Sequence, residues 1–170
     1  IQYDENGNIL TMQRTANGIL VDDLLYVYEG NRLTSLKESI RTSPAGDIYL
    51  PGSTPNGTFS YDENGNMISD SRNALKLEYN CLNLLRDVKT TSGVLKARYR
   101  HLADGTKLDV RDNNEVNGFD YLGSLTYKKS SMGLQLESAS FGEGEIQANV
   151  SNSVGNEVNY FLTDHLGSVR

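Results

Sequence analysis

Apolar and polar positions follow a period of two, or gather in short β-branched and aromatic runs, along much of the chain. Leu24 to Tyr28, Val94 to Tyr99 and Tyr121 to Tyr127 are the clearest such windows, and this pattern predicts strands. Two further strands are expected near Gly133 to Phe141 and Glu145 to Val150. Asn73 to Leu77 is the one window where a helical reading is an alternative. Between the strand-like windows lie residues that tolerate a positive backbone φ, with 16 Gly and 17 Asn against 3 Pro. Asn6-Gly7 and Asn64-Gly65 each sit between strand-like residues, the signature of a two-residue type I′ hairpin turn. The prediction is an all-β fold with helix content well below the usual third.

The turns belong to a repeat. Tyr-Asp-Glu-Asn-Gly-Asn occurs at 3–8 and again at 61–66, followed by Ile9-Leu10 and Met67-Ile68. Looser copies begin at Tyr28, with Gly30, and at Tyr79, and a further one runs from Tyr99 to Asp104-Gly105. Tyr61 to Tyr79 is 18 residues and Tyr79 to Tyr99 is 20, periods that mark a repeat architecture. In one unit a strand ends on Tyr, an Asn/Gly turn reverses the chain, and an aliphatic residue opens the next strand. The tyrosine supplies a large ring on one face and a hydroxyl able to reach the turn or the sheet edge. The following Asp accepts turn amides. A lone hairpin is marginal in water, so hairpins stacked edge to edge are expected, each covering the next one's unpaired amides. Stacked antiparallel hairpins would form a curled, open sheet or partial shell.

Four stretches divide the chain. Residues 1–40 read as two or three strands in N-terminal hairpins reaching the Gly30-Asn31 turn. Residues 41–60 hold Pro44, Pro51 and Pro55 and read as a loop. Residues 61–128 carry the densest repeats, and 129–170 the closing hairpins. All four are expected to form one structural region.

Charge and composition narrow the chemistry. Sixteen Lys+Arg against 22 Asp+Glu give a net charge of −6, which argues against a sequence-independent grip on nucleic acid and against anionic lipid. Apolar runs are too short to insert in a membrane as a helix; the longest, Ile19 to Tyr28, contains Asp22 and Asp23. One cysteine, Cys81, excludes an intrachain disulfide framework and reads as a small buried hydrophobe. Asp4, Asn6 and Asn8, like Asp62, Asn64 and Asn66, begin as a calcium loop does. Glycine then falls at the fourth place and Thr15 or Asn73 at the twelfth, so the hairpin turn is the better reading. Asp164 beside His165 has no nucleophile at a recognised spacing, and His101 reads as solvent-facing or satisfied in the core. No catalytic, metal or cofactor residue is assigned. The first residue is Ile1, no signal peptide opens the chain, and Arg170 falls in a strand-like run, as expected of an excised piece.

The Tyr-Asp-x-x-Gly-Asn units resemble the YD repeats of the Rhs (rearrangement hotspot) family. The tail Tyr160-Phe161-Leu162-Thr163-Asp164-His165-Leu166-Gly167-Ser168-Val169-Arg170 is similar to the signature that opens the Rhs-associated core. Asp120 to Tyr127 is similar to the Tyr-Leu-Gly-Asn segment that precedes it. The resemblance leaves only 41–60 unmatched. It implies a large secreted or surface-associated protein whose repeats wind into a hollow β-shell around a C-terminal cargo or toxin. Related shells occur in insecticidal toxin complexes and teneurins. It implies an extracellular or cell-surface location, with the rest of the parent chain and its cargo as partners. The aspartate motif by which many members cut themselves is expected only beyond Arg170. On this reading Tyr3, Asp4, Gly7, Tyr28, Gly30, Tyr61, Asp62, Gly65, Tyr79, Tyr99, Asp104, Gly105, Tyr160, Asp164, His165 and Gly167 are structural motif residues. Self-association through open sheet edges is expected. The alternative is a module that binds a carbohydrate or a surface receptor through its tyrosines.

Overall fold

The computed structural model describes residues 1–40, 56–148 and 155–162. These residues form an all-β, antiparallel and open fold with no helix among them. They fall into two compact units, 1–94 and 95–170.

The first unit holds β1 (Gln2–Tyr3), β2 (Ile9–Ala16), β3 (Ile19–Glu29), β4 (Arg32–Glu38), β5 (Gly57–Tyr61), β6 (Met67–Asp70), β7 (Leu75–Tyr79) and β8 (Leu85–Thr90). The second holds β9 (Leu95–His101), β10 (Lys107–Arg111), β11 (Gly118–Leu122), β12 (Leu125–Ser130), β13 (Gly133–Phe141), β14 (Gly144–Gln147) and β15 (Glu157–Tyr160). Within each unit the hydrogen-bonded order of the strands is their order in the chain. Where a short turn joins two strands, it leaves the second no closer partner than the one before it.

Two expectations are corrected here, and the helical alternative at Asn73 to Leu77 is set aside. Residues 1–40 form four strands rather than two or three, because Gln2–Tyr3 pairs with β2. The window Asn73 to Leu77 is a turn leading into β7, with Ala74 at φ 54°. Asp70 accepts the Asn73 amide at 3.1 Å and the Asn73 carboxamide at 2.6 Å, and the left-handed Ala74 then turns the chain back instead of continuing a helix. Asn6-Gly7 and Asn64-Gly65 are not type I′ turns. Only the glycines have positive φ, 84° and 87°. Gly7 N donates to Asp4 O and Gly65 N to Asp62 O, each at 3.1 Å, so each loop is a type I turn closed by a left-handed glycine. The type I′ turn is Asn17-Gly18, with φ 50° and 77°.

The apolar residues buried among those described are Val21, Leu24 and Leu36. Asp22, Leu24 and Tyr26 share one face of β3, and Leu36 and Glu38 adjoin them on β4 in register. Leu25 and Val27 point to the other face and stay exposed. Buried charges on the covered face are held: Asp22 pairs with Arg14, and Glu38 accepts the amides of Asp23 at 2.9 Å and Ile40 at 2.8 Å. Gly57, opposite Leu36, leaves room for Arg72; a Cβ there would lie 2.6 Å from the Arg72 Cβ. With so little apolar burial, stability rests on ladders and cross-strand pairs.

Candidate functional site

The repeat builds the same device several times. Asp4 Oδ1 accepts the amides of Asn6 and Asn8 at 2.9 and 2.8 Å, and Asn8 Nδ2 donates to Asp4 Oδ2 at 2.8 Å. Asp62 repeats this with Asn64 and Asn66 at 3.0, 2.8 and 2.9 Å. Asn80 takes the Asp place in the next turn, accepting Leu82 N and Leu84 N. Asp112 does the same after β10, where Asn117 Nδ2 reaches its Oδ2 at 2.7 Å. These bonds to the ionised form hold the Asp4 and Asp62 carboxyls below their ordinary value, the Asn8 and Asn66 carboxamides contributing most. The oxygens that a calcium loop would offer a cation thus receive N–H groups instead.

A register shift accompanies the Asp4, Asp62 and Asn80 turns, but not the Asp112 turn. Tyr61 faces Met67, then Ser60 faces Ser69, so Ile68 is the extra residue of a bulge. Tyr28 with Leu33 and Tyr79 with Leu85 are followed by the same slip.

The tyrosines then bind one hairpin to another. The β4–β5 and β6–β7 ladders hold only two residue pairs each. Past the end of the first, Tyr61 Oη donates to Leu33 O at 3.0 Å, and past the second, Tyr79 Oη donates to Met67 O at 2.9 Å. Leu33 faces Tyr28 and Met67 faces Tyr61, so each hydroxyl reaches the residue opposite the preceding tyrosine. A carbonyl left over where the ladder stops is thereby satisfied. Burial, and then the nearby Asp62 charge, raise the Tyr79 pKa and keep the hydroxyl a donor. Asparagines join neighbouring turns as well: Asn8 Nδ2 donates to Asn31 Oδ1 at 3.0 Å, and Asn64 and Asn66 both donate to Asn83 Oδ1, at 3.1 and 3.0 Å.

In the second unit charged side chains cross the strands. Arg100 and Asp109 are register partners, and Arg100 Nε lies 2.9 Å from both carboxylate oxygens. Asp109 also faces Asp120. Arg111, buried, relieves that like-charge pair by bonding Asp120 and lying 3.6 Å from Asp109. Its Nη1 further donates to Val110 O and Phe119 O at 2.9 and 3.0 Å. Gly118, at φ 154°, makes the close approach possible, since a Cβ there would fall 1.9 Å from Val110 O. An open hollow of about 690 Å³ lies over this network, with Leu122, Tyr127 and Leu134 also lining it. On the first unit Glu78 binds Lys89 at 2.5 Å and Arg86 at 2.7 Å, which lowers its pKa, Lys89 first.

The predicted residues distribute unevenly. Tyr3, Asp4, Gly7, Tyr61, Asp62, Gly65 and Tyr79 share the turn device. Tyr28 precedes a shorter turn in which only Gly30 has positive φ, 60°, the type II′ pattern. Tyr99 is a correction. It faces Val110 in mid-strand, with Lys107 Nζ 5.7 Å from its ring, and His101 occupies the turn-closing place opposite Lys107. Gly105 is the left-handed glycine of that turn, while Asp104 lies at the place of Asn6, one before the glycine, and accepts Thr106 N at 2.8 Å. Leu102 stands where the other turns have Asp or Asn, and it lacks an acceptor side chain. Tyr160 lies in β15 with its ring edge-on to Phe141, centroids 5.8 Å apart. Asp164, His165 and Gly167 lie outside the described residues, as do Pro44, Pro51 and Pro55. Cys81 is exposed in the β7–β8 turn, not buried, because the turn device turns that position outward. The asparagine stitches and the Arg100/Asp109/Arg111/Asp120 network were not anticipated. The alternation Asp109-x-Arg111 between Arg98-x-Arg100 and Asp120 was the signal for the second.

No family model matches the chain, and no curated protein matches it. Among solved structures the chain is similar to a chain of the Photorhabdus luminescens Tc holotoxin pore with mutated TccC3. The identity is 12%, the TM-score is 0.44, and the match covers 99% of this chain. The chain spans 13% of that chain's length.

Proposed function

We propose that this chain is a structural wall segment of an Rhs/YD-repeat protein, enclosing or presenting a cargo and performing no catalysis of its own. The observation that supports the reading is the repeated linkage of hairpin to hairpin, in which Tyr61 and Tyr79 each bond the hairpin before. Such a linkage extends in one direction without limit, and it spends its polar groups on the turns rather than on a converging site. Sequential hairpins with a twist would curl into a shell. The partners would be neighbouring repeats of the parent chain and the cargo, in an extracellular or cell-surface setting.

Limited proteolysis of the full-length gene product, followed by mass spectrometry, tests this. Enclosure predicts that a segment beyond Arg170 is cut only after the β-strands are breached. Cleavage of that segment as fast in the intact protein as in isolation would contradict it, as would a gene product that ends at Arg170.

The hollow over Arg100, Asp109, Arg111 and Asp120 favours a second reading, a carbohydrate- or receptor-binding module, since Tyr127 adds a ring to its bonding groups. Glycan-array binding abolished by Tyr127→Ala would favour that reading.

A further inference from the structure

Five Asn-Gly pairs occur in the chain: Asn6-Gly7, Asn17-Gly18, Asn56-Gly57, Asn64-Gly65 and Asn117-Gly118. Such a pair can lose ammonia when the glycine amide nitrogen attacks the asparagine side chain, because glycine offers the least steric hindrance to the attack. Two local conditions govern that reaction: the glycine N–H must be free to lose its proton, and the carboxamide must be free to turn onto it.

Four of the five pairs fail a condition. Gly7 N and Gly65 N are engaged at 3.1 Å with Asp4 O and Asp62 O. The Asn64 carboxamide is further tied to Asn83, and the Asn64 amide to Asp62. Asn56 Oδ1 accepts the Glu38 amide at 2.9 Å. Asn117 Nδ2 is held by Asp112 at 2.7 Å. Asn17-Gly18 differs. It forms the exposed tip between β2 and β3, closed by the Ala16–Ile19 pair. In a type I′ turn the peptide between the two central residues makes no turn hydrogen bond. Neither the Gly18 N–H nor the Asn17 carboxamide has a partner among the described residues. The Asn17–Gly18 peptide can therefore rotate at no cost in hydrogen bonds.

We infer that Asn17 is a built-in modification site, converting through a cyclic imide to an aspartyl or isoaspartyl residue ahead of every other Asn-Gly pair in the folded chain. The chemistry balances with water alone. Hydroxide removes the Gly18 amide proton, and that nitrogen forms a bond to Asn17 Cγ. The bond from Cγ to the carboxamide nitrogen breaks, and ammonia leaves. Water then opens the ring at either carbonyl, giving a carboxylate and either the original backbone or one routed through Cβ. The isoaspartyl product lengthens the tip by one backbone carbon and adds a negative charge. That product is the substrate class of an isoaspartyl carboxyl methyltransferase. The inference is independent of the function proposed above.

The test is incubation of the purified folded chain at neutral and mildly alkaline pH. Tryptic mapping and enzymatic methylation of isoaspartate follow. Cleavage after Arg14 and Arg32 isolates residues 15–32, which contain Asn17-Gly18 and no other Asn-Gly pair. The expected result is conversion in that peptide about two- to tenfold faster than at Asn6 or Asn64, as follows from the cost of opening a turn hydrogen bond. Conversion should speed up with pH and be lost in Asn17→Gln. In denaturant the five pairs should react at similar rates. Equal rates in the folded chain, or Asn17 reacting more slowly than Asn6 or Asn64, would overturn the inference. So would no conversion of Asn17 in the folded chain while the denatured chain converts.

Discussion

Tyr79→Phe removes one oxygen and leaves the ring, the strand and the Asp62 turn in place. The Met67 carbonyl then loses the donor it has beyond the two-pair β6–β7 ladder. A net intramolecular hydrogen bond contributes about 0.5–1.5 kcal/mol. The site is part-buried, so water can reach the carbonyl in the variant, and the loss should be ~1 kcal/mol. With a urea dependence of about 2 kcal/mol per molar, the unfolding midpoint of the first unit should fall by ~0.5 M. Tyr61→Phe removes the equivalent bond to Leu33 O and should match it. Tyr160→Phe is the control, since Tyr160 is 69% exposed, and its effect should stay within about 0.5 kcal/mol. Urea titrations of the three variants, followed by far-ultraviolet circular dichroism, decide the matter. If Tyr61→Phe and Tyr79→Phe are as neutral as Tyr160→Phe, the hydroxyls do not join the hairpins.

Further outcomes follow from the same contacts. The folded-state pKa of Asp62 is depressed, so its contribution is present above the unfolded-state value of 3.8 and lost as pH falls through the folded value; an acid titration should show less acid destabilisation in Asp62→Asn than in the wild type. Asp109→Ala removes the carboxylate that Arg100 bonds while Arg111 keeps Asp120, and should cost about 1.5–3 kcal/mol, measured by urea unfolding of the second unit. Gly118→Ala places a Cβ against Val110 O at a φ that side chains rarely adopt and should destabilise by about 2 kcal/mol or more, whereas Gly133→Ala meets no atom within 4 Å and should show backbone strain alone. Light scattering over a concentration series should show self-association through the free edges; a strict monomer throughout would contradict edge pairing.

Much of the antiparallel fold was legible because its signals are local. The Tyr-Asp-Glu-Asn-Gly-Asn hexapeptide identified equivalent turns, and the short aromatic and β-branched runs identified the strands around them. The turn type was misread at Asn6-Gly7, since the dipeptide alone does not reveal that Asp4 and Asp62 supply acceptors that favour the type I form. The true type I′ pair, Asn17-Gly18, has no such Asp two residues before its asparagine. Tyr99 misled because it stands six residues before Gly105, whereas Tyr3 and Tyr61 stand four before their glycines; His101 holds that place. The charge network needed the register of β9, β10 and β11, which alternation suggests but does not fix.

Native-state hydrogen exchange of β6 and β7 in the wild type and in Tyr79→Phe tests most directly whether tyrosine hydroxyls fasten each hairpin to the last. Faster opening is expected at Ser69, Asp70, Leu75 and Lys76 in the variant, with β11 and β12 unchanged. Exchange that is unaltered at those four residues, or equally raised throughout the chain, would contradict it.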